Sequence, residues 1–369
     1  MPSKLLFYDD LGTVLLLGRR FAGVSSNLLF GTGRVEADRA VLGVAQMFNY
    51  PGVHGLRSTV SGLRDWLGVS AVAPLSNSAS TQSVEIGFKV VRVEPLRVPS
   101  NPAITFAVEG SAQTSSVGAT LTTALYIEDR TDTPRRISDH LERHAAVRDL
   151  IALSRWRPES IEAAAVCHDN EQASLPDGSK LDRWLDVANG RPFAAVDESL
   201  ARHLIQFSDI GLTGIARWIA LRQEFARAID PAVSGIYMQE VTPEARLVQT
   251  AVGIEALGYL ILIKDDSVPA AKARASSFEA RLERVAKDVP FTLLGYLNAA
   301  WFKAVADAYN ATKHANRTLP SGLHLMNAWR ESTLLFRVWA ALRLGVPASA
   351  LESRIRQDWQ FYAFSQRVD

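Results

Sequence analysis

Near the end of the chain, Tyr309-Asn310-Ala311-Thr312-Lys313-His314 sets an amide, an amine and an imidazole close together. Successive helical residues turn by about 100°, so Asn310 and His314 stand about 40° apart on one face with Lys313 beside them. Such a trio can hold a phosphate by charge and hydrogen bonding, while His314 serves a ribose hydroxyl as general base or acid. Arg317, on the same helix face as His314, and Arg330 on the next helix can add positive charge. The residues also admit a plainer reading, in which a helix C-terminus gathers basic side chains through its dipole.

Other chemistry is less well supplied. His140 and His144 have the i, i+4 spacing that lets two imidazoles share a metal, but no further ligand signature follows, and they are expected to be solvated surface histidines. No metal or other cofactor is expected. Gly31-Thr32-Gly33 lacks the third glycine and following helix of a dinucleotide fingerprint, and neither Gly-Lys-Ser/Thr nor Gly-x-Ser-x-Gly occurs. Cys167 is the single cysteine, which excludes an internal disulfide and fits a reducing cytoplasm. Forty basic against thirty-nine acidic residues leave a formal charge of +1, so contact with nucleic acid must come from a local patch. The Met1–Arg20 stretch lacks the basic leader and cleavage site of a secretory signal, and no apolar run reaches the roughly 18 residues of a spanning helix. A cytoplasmic protein with no membrane partner is expected.

Positioning these residues calls for two kinds of element, and 369 residues suggest two domains. From Leu5 to about Arg130, short apolar runs alternate with Gly, Ser, Asn and Pro, the punctuation of strands and turns. Val84 to Val90, Ile104 to Val108 and Leu121 to Ile127 read as strands, and a sheet sandwich is their natural packing. Leu56, Val60, Leu63 and Leu67 predict a short helix. Thr133-Pro134 opens another that continues to Ile151, and Ser160 to Cys167 can return to the sheet. Beyond Phe193 the pattern is helical: Asp197 to Arg227 with a break near Gly211, Pro243 to Lys264 capped by Thr242, Pro269 to Asp288, Leu293 to about Asn316, Gly322 to Leu344, and Ser349 to about Phe361. The expected class is α+β, a β-rich, sandwich-like module over residues 1–190 and an all-α domain over 191–369.

Two segments of the second half resemble a HEPN domain. Leu247 to Leu257 is similar to the family's helix with an acidic residue, here Glu255, on an apolar face, and Asn310-Ala311-Thr312-Lys313-His314 is similar to its active-site motif. In the first half, the strand order, Leu63-Arg64-Asp65-Trp66-Leu67, Tyr126-Ile127 and the Pro134 to Ile151 helix resemble the N-terminal module of ApeA-type proteins, which precedes a HEPN domain. The resemblance implies bacterial anti-phage defence by abortive infection: a toxin-like HEPN domain that dimerises and cleaves RNA without a metal. It implies His314, Asn310 and Lys313 as catalytic residues, Tyr309, Arg317 and Arg330 as RNA contacts, transfer or ribosomal RNA as substrate, and a phage protein as trigger. Where the family pattern has arginine, this chain has Tyr309, which carries no permanent charge. A HEPN protein that binds RNA or a protein partner without cleaving, and acts by assembly, is the alternative.

Overall fold

A computed structural model of the chain describes residues 4–9, 12–26, 31–44, 52–75, 78–79, 84–85, 87–99, 104–116, 118–190 and 202–365. Its contacts divide the chain into two units, residues 1–148 with 159–197, and residues 149–158 with 198–369. The first is built on a sheet and the second is helical, the α+β class anticipated from the change in periodicity.

Nine strands form the sheet: β1 (Lys4–Asp9), β2 (Gly12–Ser26), β3 (Gly31–Leu42), β4 (Val53–Val60), β5 (Leu96–Val98), β6 (Ile104–Ser115), β7 (Gly118–Arg135), β8 (Ile161–Cys167) and β9 (Leu185–Asn189). They lie in the order β1-β2-β3-β9-β8-β4-β7-β6-β5. Neighbours are antiparallel throughout. Leu15, Val41, Val53, Leu56, Val166 and Leu185 share a buried cluster with Ile137, which brings helix α2 (Ile137–Arg155) into the core of this unit through its first turn. Gly31 and Gly33 lie within β3, and of the expected strand from Val84 to Val90, Ile86 lies outside the described residues.

Three sequence expectations change here for local reasons. Leu56 and Val60 belong to β4, where backbone pairing to β7 and β8 on either side overrides their helical spacing. Only Leu63–Leu67 is helical (α1), held to little more than one turn between Gly62 and Gly68, both at positive φ. Pro134 does not open α2; it lies in β7 within a shift of register against β4, a place where the missing N–H is tolerated.

The third change concerns His140 and His144, which are fully buried instead of solvated. Both face Asp129 of β7, itself 2% exposed. His140 Nδ1 lies 2.7 Å from Asp129 Oδ1 and its Nε2 3.1 Å from the Val53 carbonyl. His144 Nε2 lies 3.1 Å from the same carboxylate oxygen and its Nδ1 2.8 Å from Ser58 Oγ. Arg143 donates to Asp129 Oδ2. Spacing that could present two ligands to a metal here presents them to a carboxylate, and no group of His, Cys, Asp and Glu among the described residues could hold a metal ion.

The helical unit comprises α3 (Phe207–Glu224), α4 (Ala226–Ile236), α5 (Pro243–Lys264), α6 (Ala270–Ala275), α7 (Phe278–Ala286), α8 (Ala299–Lys313), α9 (Gly322–Leu344) and α10 (Ala348–Ile355), with a short 3-10 turn at Trp359–Phe361. The backbone departs from helical geometry at Gly211 within α3. The expected Pro269 to Asp288 helix is two, because Ser277 caps a fresh start by accepting from the Ala280 N–H at 3.2 Å. Likewise α8 begins at Ala299, where Asn298 accepts from the Trp301 N–H at 3.1 Å. Helix α5 is long and apolar enough, by length and composition, to cross a membrane. In this unit its Leu247, Ala251, Ile254, Leu257 and Ile261 stripe is buried, as a core helix requires.

Burial alone would raise the pKa of Asp129, but hydrogen bonds from His140 and His144 outweigh it and hold the carboxyl well below the usual range. Burial pushes His144 below its ordinary value of 6.5, so the unfolded chain takes up that proton first. The contribution of His144 is therefore full above 6.5 and fades as the pH falls below it; that of Asp129 fades only in stronger acid. Urea unfolding followed from about pH 8 to about pH 5 is expected to show stability falling with acidification, with a flatter slope in His144→Asn. Asp129→Ala is expected to cost roughly 3–5 kcal/mol at neutral pH, since it leaves buried partners uncompensated.

Candidate functional site

Helix α8 carries the proposed chemistry at its C-terminal end. Its buried face, Phe302, Val305, Ala306, Tyr309 and the neighbouring Ala308, follows helical spacing and fixes which residues turn outward. The helix stops at His314, whose extended backbone caps it while its N–H still donates to the Asn310 carbonyl at 3.1 Å. Arg317 N–H donates to the His314 carbonyl at 2.9 Å, so the chain turns at once and holds both residues in one short loop. Asn310 is half-buried, and Lys313, His314 and Arg317 are exposed. No hydrogen bond joins the side chains of Asn310, Lys313 and His314 to one another among the described residues.

Tyr309 sits differently. It is 2% exposed, its ring lies 4.7 Å from that of Phe278, and its hydroxyl donates to Glu255 Oε2 at 3.2 Å. Burial and the negative charge of Glu255 push that hydroxyl above its ordinary pKa, so it remains a donor. Glu255 also receives Arg281 at 3.0 Å. Lys313 Nζ lies 4.0 Å from the centroid of the Tyr309 ring, a cation–π contact that draws the ammonium back along its own helix. The two sequence segments that carried the HEPN resemblance thus meet through Tyr309 and Glu255. What sequence reasoning missed is this link, since Glu255 and Tyr309 are far apart in sequence and neither is unusual alone.

Arg330 is brought elsewhere. It is buried on α9, where Nε donates to Asn327 Oδ1 at 3.3 Å, one NH2 group to Glu331 Oε1 at 2.8 Å, and the other to the Gln360 carbonyl. Its charge supports the C-terminal 3-10 turn.

In the sheet unit a polar cleft of about 690 Å³ is lined by Arg20, Arg34, Glu36, Asp38, Arg39 and Glu162, among others. Arg20 and Asp38 are 3.6 Å apart, and Arg34 and Glu36 3.4 Å. These are exposed pairs that a ligand could rearrange at little cost.

A family profile, ApeA N-terminal domain 1, matches residues 5–218, which takes in all nine strands of the sheet from Leu5 onward and most of α3. The chain belongs to the ApeA N-terminal domain 1 family. Membership associates it with anti-phage defence and agrees with the resemblance carried by the Leu63–Leu67 turn and the strands around it. No curated protein and no solved structure matches the chain. The family match ends before α8, so the Asn310 to His314 site rests on its own geometry.

A buried aromatic ring fixes α8 against Phe278 and Glu255, and the variants should separate ring from hydroxyl. Tyr309→Ala is expected to destabilise the helical unit by roughly 3–5 kcal/mol, the range for emptying a large buried site. Tyr309→Phe, which loses only one hydrogen bond, is expected to cost roughly 0.5–1.5 kcal/mol. Urea unfolding followed by circular dichroism measures both, and equal losses would show that the hydroxyl is what matters.

Proposed function

We propose that the helical unit of this ApeA-family protein is a HEPN-type endoribonuclease that cleaves RNA without a metal when the β-rich unit detects a phage component. The supporting observation is the end of α8, where a solvent-facing imidazole, an ammonium and a guanidinium stand on one turn and its loop. A ribose 2′-hydroxyl attacking the adjacent phosphorus gives up a proton, and the departing 5′-oxygen gains one. Imidazole is the side chain suited to both transfers, and His314 supplies one. Lys313 and Arg317 supply charge to the phosphate oxygens, and Asn310 orients them. One imidazole cannot remove and donate a proton in the same step, so a homodimer presenting two α8 ends would supply both.

A second reading is favoured by Tyr309. The position where the family has arginine is taken here by a buried ring bonded to Glu255, which puts no cation near a scissile phosphate. On that reading the α8 end binds RNA or a protein partner and acts by assembly.

Expression in bacteria, with and without phage, tests the two. His314→Ala is expected to lower RNA fragmentation by roughly 10² to 10⁴ in rate, the usual contribution of a general acid or base, with circular dichroism unchanged. Lys313→Ala should lower it less, because Arg317 also supplies charge. Full phage protection by a well-folded His314→Ala chain would reject cleavage and leave assembly standing.

A further inference from the structure

The helical unit has a second place where chemistry gathers, away from the residues used above. Two adjoining cavities of about 410 and 350 Å³ share Trp156 and Trp359. Arg155, Arg157 and Arg202 line the first, and Arg246 and Trp329 the second. Both volumes fall in the range of roughly 300–1,000 Å³ common to small-molecule sites. Four guanidinium groups thus meet three indole rings along one groove. Asp358 in the same lining already pairs with Arg337 at 2.8 Å, and Arg202 donates to the neutral side chain of Gln357, so the positive charge of Arg202 is not spent on a lining carboxylate. That field is felt next door: burial, and then the charge of Arg155, hold His203 down to about 4.

The groove is held open by its frame. Arg337 donates to the carbonyls of Leu153 and Ser154 at 2.9 and 2.7 Å and to Gln360 Oε1 at 2.6 Å, which fixes the segments that bear Trp156 and Trp359. Trp156 and Glu240, both in the lining, have φ of 50° and 51°; Ser267 is the other described non-glycine residue with positive φ. Such backbone is costly for a bulky residue and persists at ligand sites more than elsewhere. Trp359, 46% exposed, is the accessible indole of the lining, 6.1 Å between centroids from Trp329 and 6.5 Å from Phe364.

We infer that this groove binds nucleotides, with a base stacked on Trp359 and phosphates on Arg157 and Arg202. Stacking is indifferent to base identity because every base has a π-face, and arginine forks match phosphate oxygens. An acidic peptide would satisfy the arginines and leave the indoles unused; an apolar partner would leave the charges of Arg157 and Arg202 without a counter-group. Nucleotides satisfy both sets, either free or as successive units of a single strand lying across the two cavities. The inference is independent of cleavage at His314.

Fluorescence anisotropy of the full chain with a labelled 2′-O-methyl oligouridine, which has no free 2′-hydroxyl to attack, provides the test. Wild-type binding should weaken as salt rises, and Trp359→Ala and the Arg157→Ala, Arg202→Ala double variant should each bind about tenfold more weakly, with circular dichroism unchanged. Competition by adenosine monophosphate identifies the source: displacement at concentrations near those of the unlabelled strand marks a free-nucleotide site, and a strand at least a hundredfold tighter marks a single-strand site. Failure of the wild-type chain to bind either probe, or wild-type affinity in both sets of variants, overturns the inference.

Discussion

Arg337 is fully buried, and a guanidinium taken out of water needs acceptors for its N–H groups. It finds four, in the carbonyls of Leu153 and Ser154, the Gln360 side chain and the Asp358 carboxylate. Those acceptors come from opposite ends of the unit's sequence, the last turn of α2 and the residues after α10. This explains why residues 149–158 pack with the helical unit while the first turns of the same helix pack with the sheet. Asp149 belongs to the same arrangement through its 2.7 Å ion pair with Arg222 of α3. Burying such charges gains little net stability over an apolar packing, but a frame with unmatched donors is costly, so the arrangement strongly disfavours other placements of the three segments.

The sheet unit solves a parallel problem with the sign reversed. There the buried group is a carboxylate, Asp129, and its partners His140, Arg143 and His144 come from successive turns of α2. An i, i+3, i+4 set on one helix face reaches one point on the neighbouring strand, so a single carboxylate fixes both the rotation and the height of the helix over β7 and β4. Histidine suits this work because a ring has two polar edges: His140 bonds Asp129 and the Val53 carbonyl, and His144 bonds Ser58 with its other nitrogen 3.1 Å from Asp129. Two histidines at metal-ligand spacing are thereby used up in structure.

How far all this could be read from sequence depends on how local its cause is. The cap at Thr242 and the stop at Gly345 are local, and each appears where its residues place it. Helix breaks at Ser277 and Asn298 were also written locally, as capping residues, but were masked by apolar residues on both sides that keep helical spacing. Leu56 and Val60 could not be assigned locally, because strand and helix both accept their spacing and only pairing to β7 and β8 decides. Least legible were the buried clusters. Nothing near His140 announces Asp129 as its partner, and the Arg155-Trp156-Arg157 triplet gains meaning only when Trp359 arrives beside it. That triplet, basic residues flanking an aromatic one, was the available signal.

Tyr309 shows why a neutral donor suits its place beside Glu255. A guanidinium there would face Glu255, which already receives Arg281 at 3.0 Å, and two cations on one partly buried carboxylate would leave an excess positive charge beside the ring of Phe278. Tyrosine removes that charge, fills the volume and still donates one hydrogen bond to Glu255. Its ring then gives Lys313 a face to rest on, so a cation is held one turn beyond position 309. The consequence is geometric. Charge at this helix end now lies on the exposed side, with Lys313, His314 and Arg317, where an incoming phosphate would meet it first. On the proposed reading of the α8 end, a phosphate would therefore approach from the loop after α8, because on the Glu255 side the guanidinium of Arg281 is already held by the carboxylate.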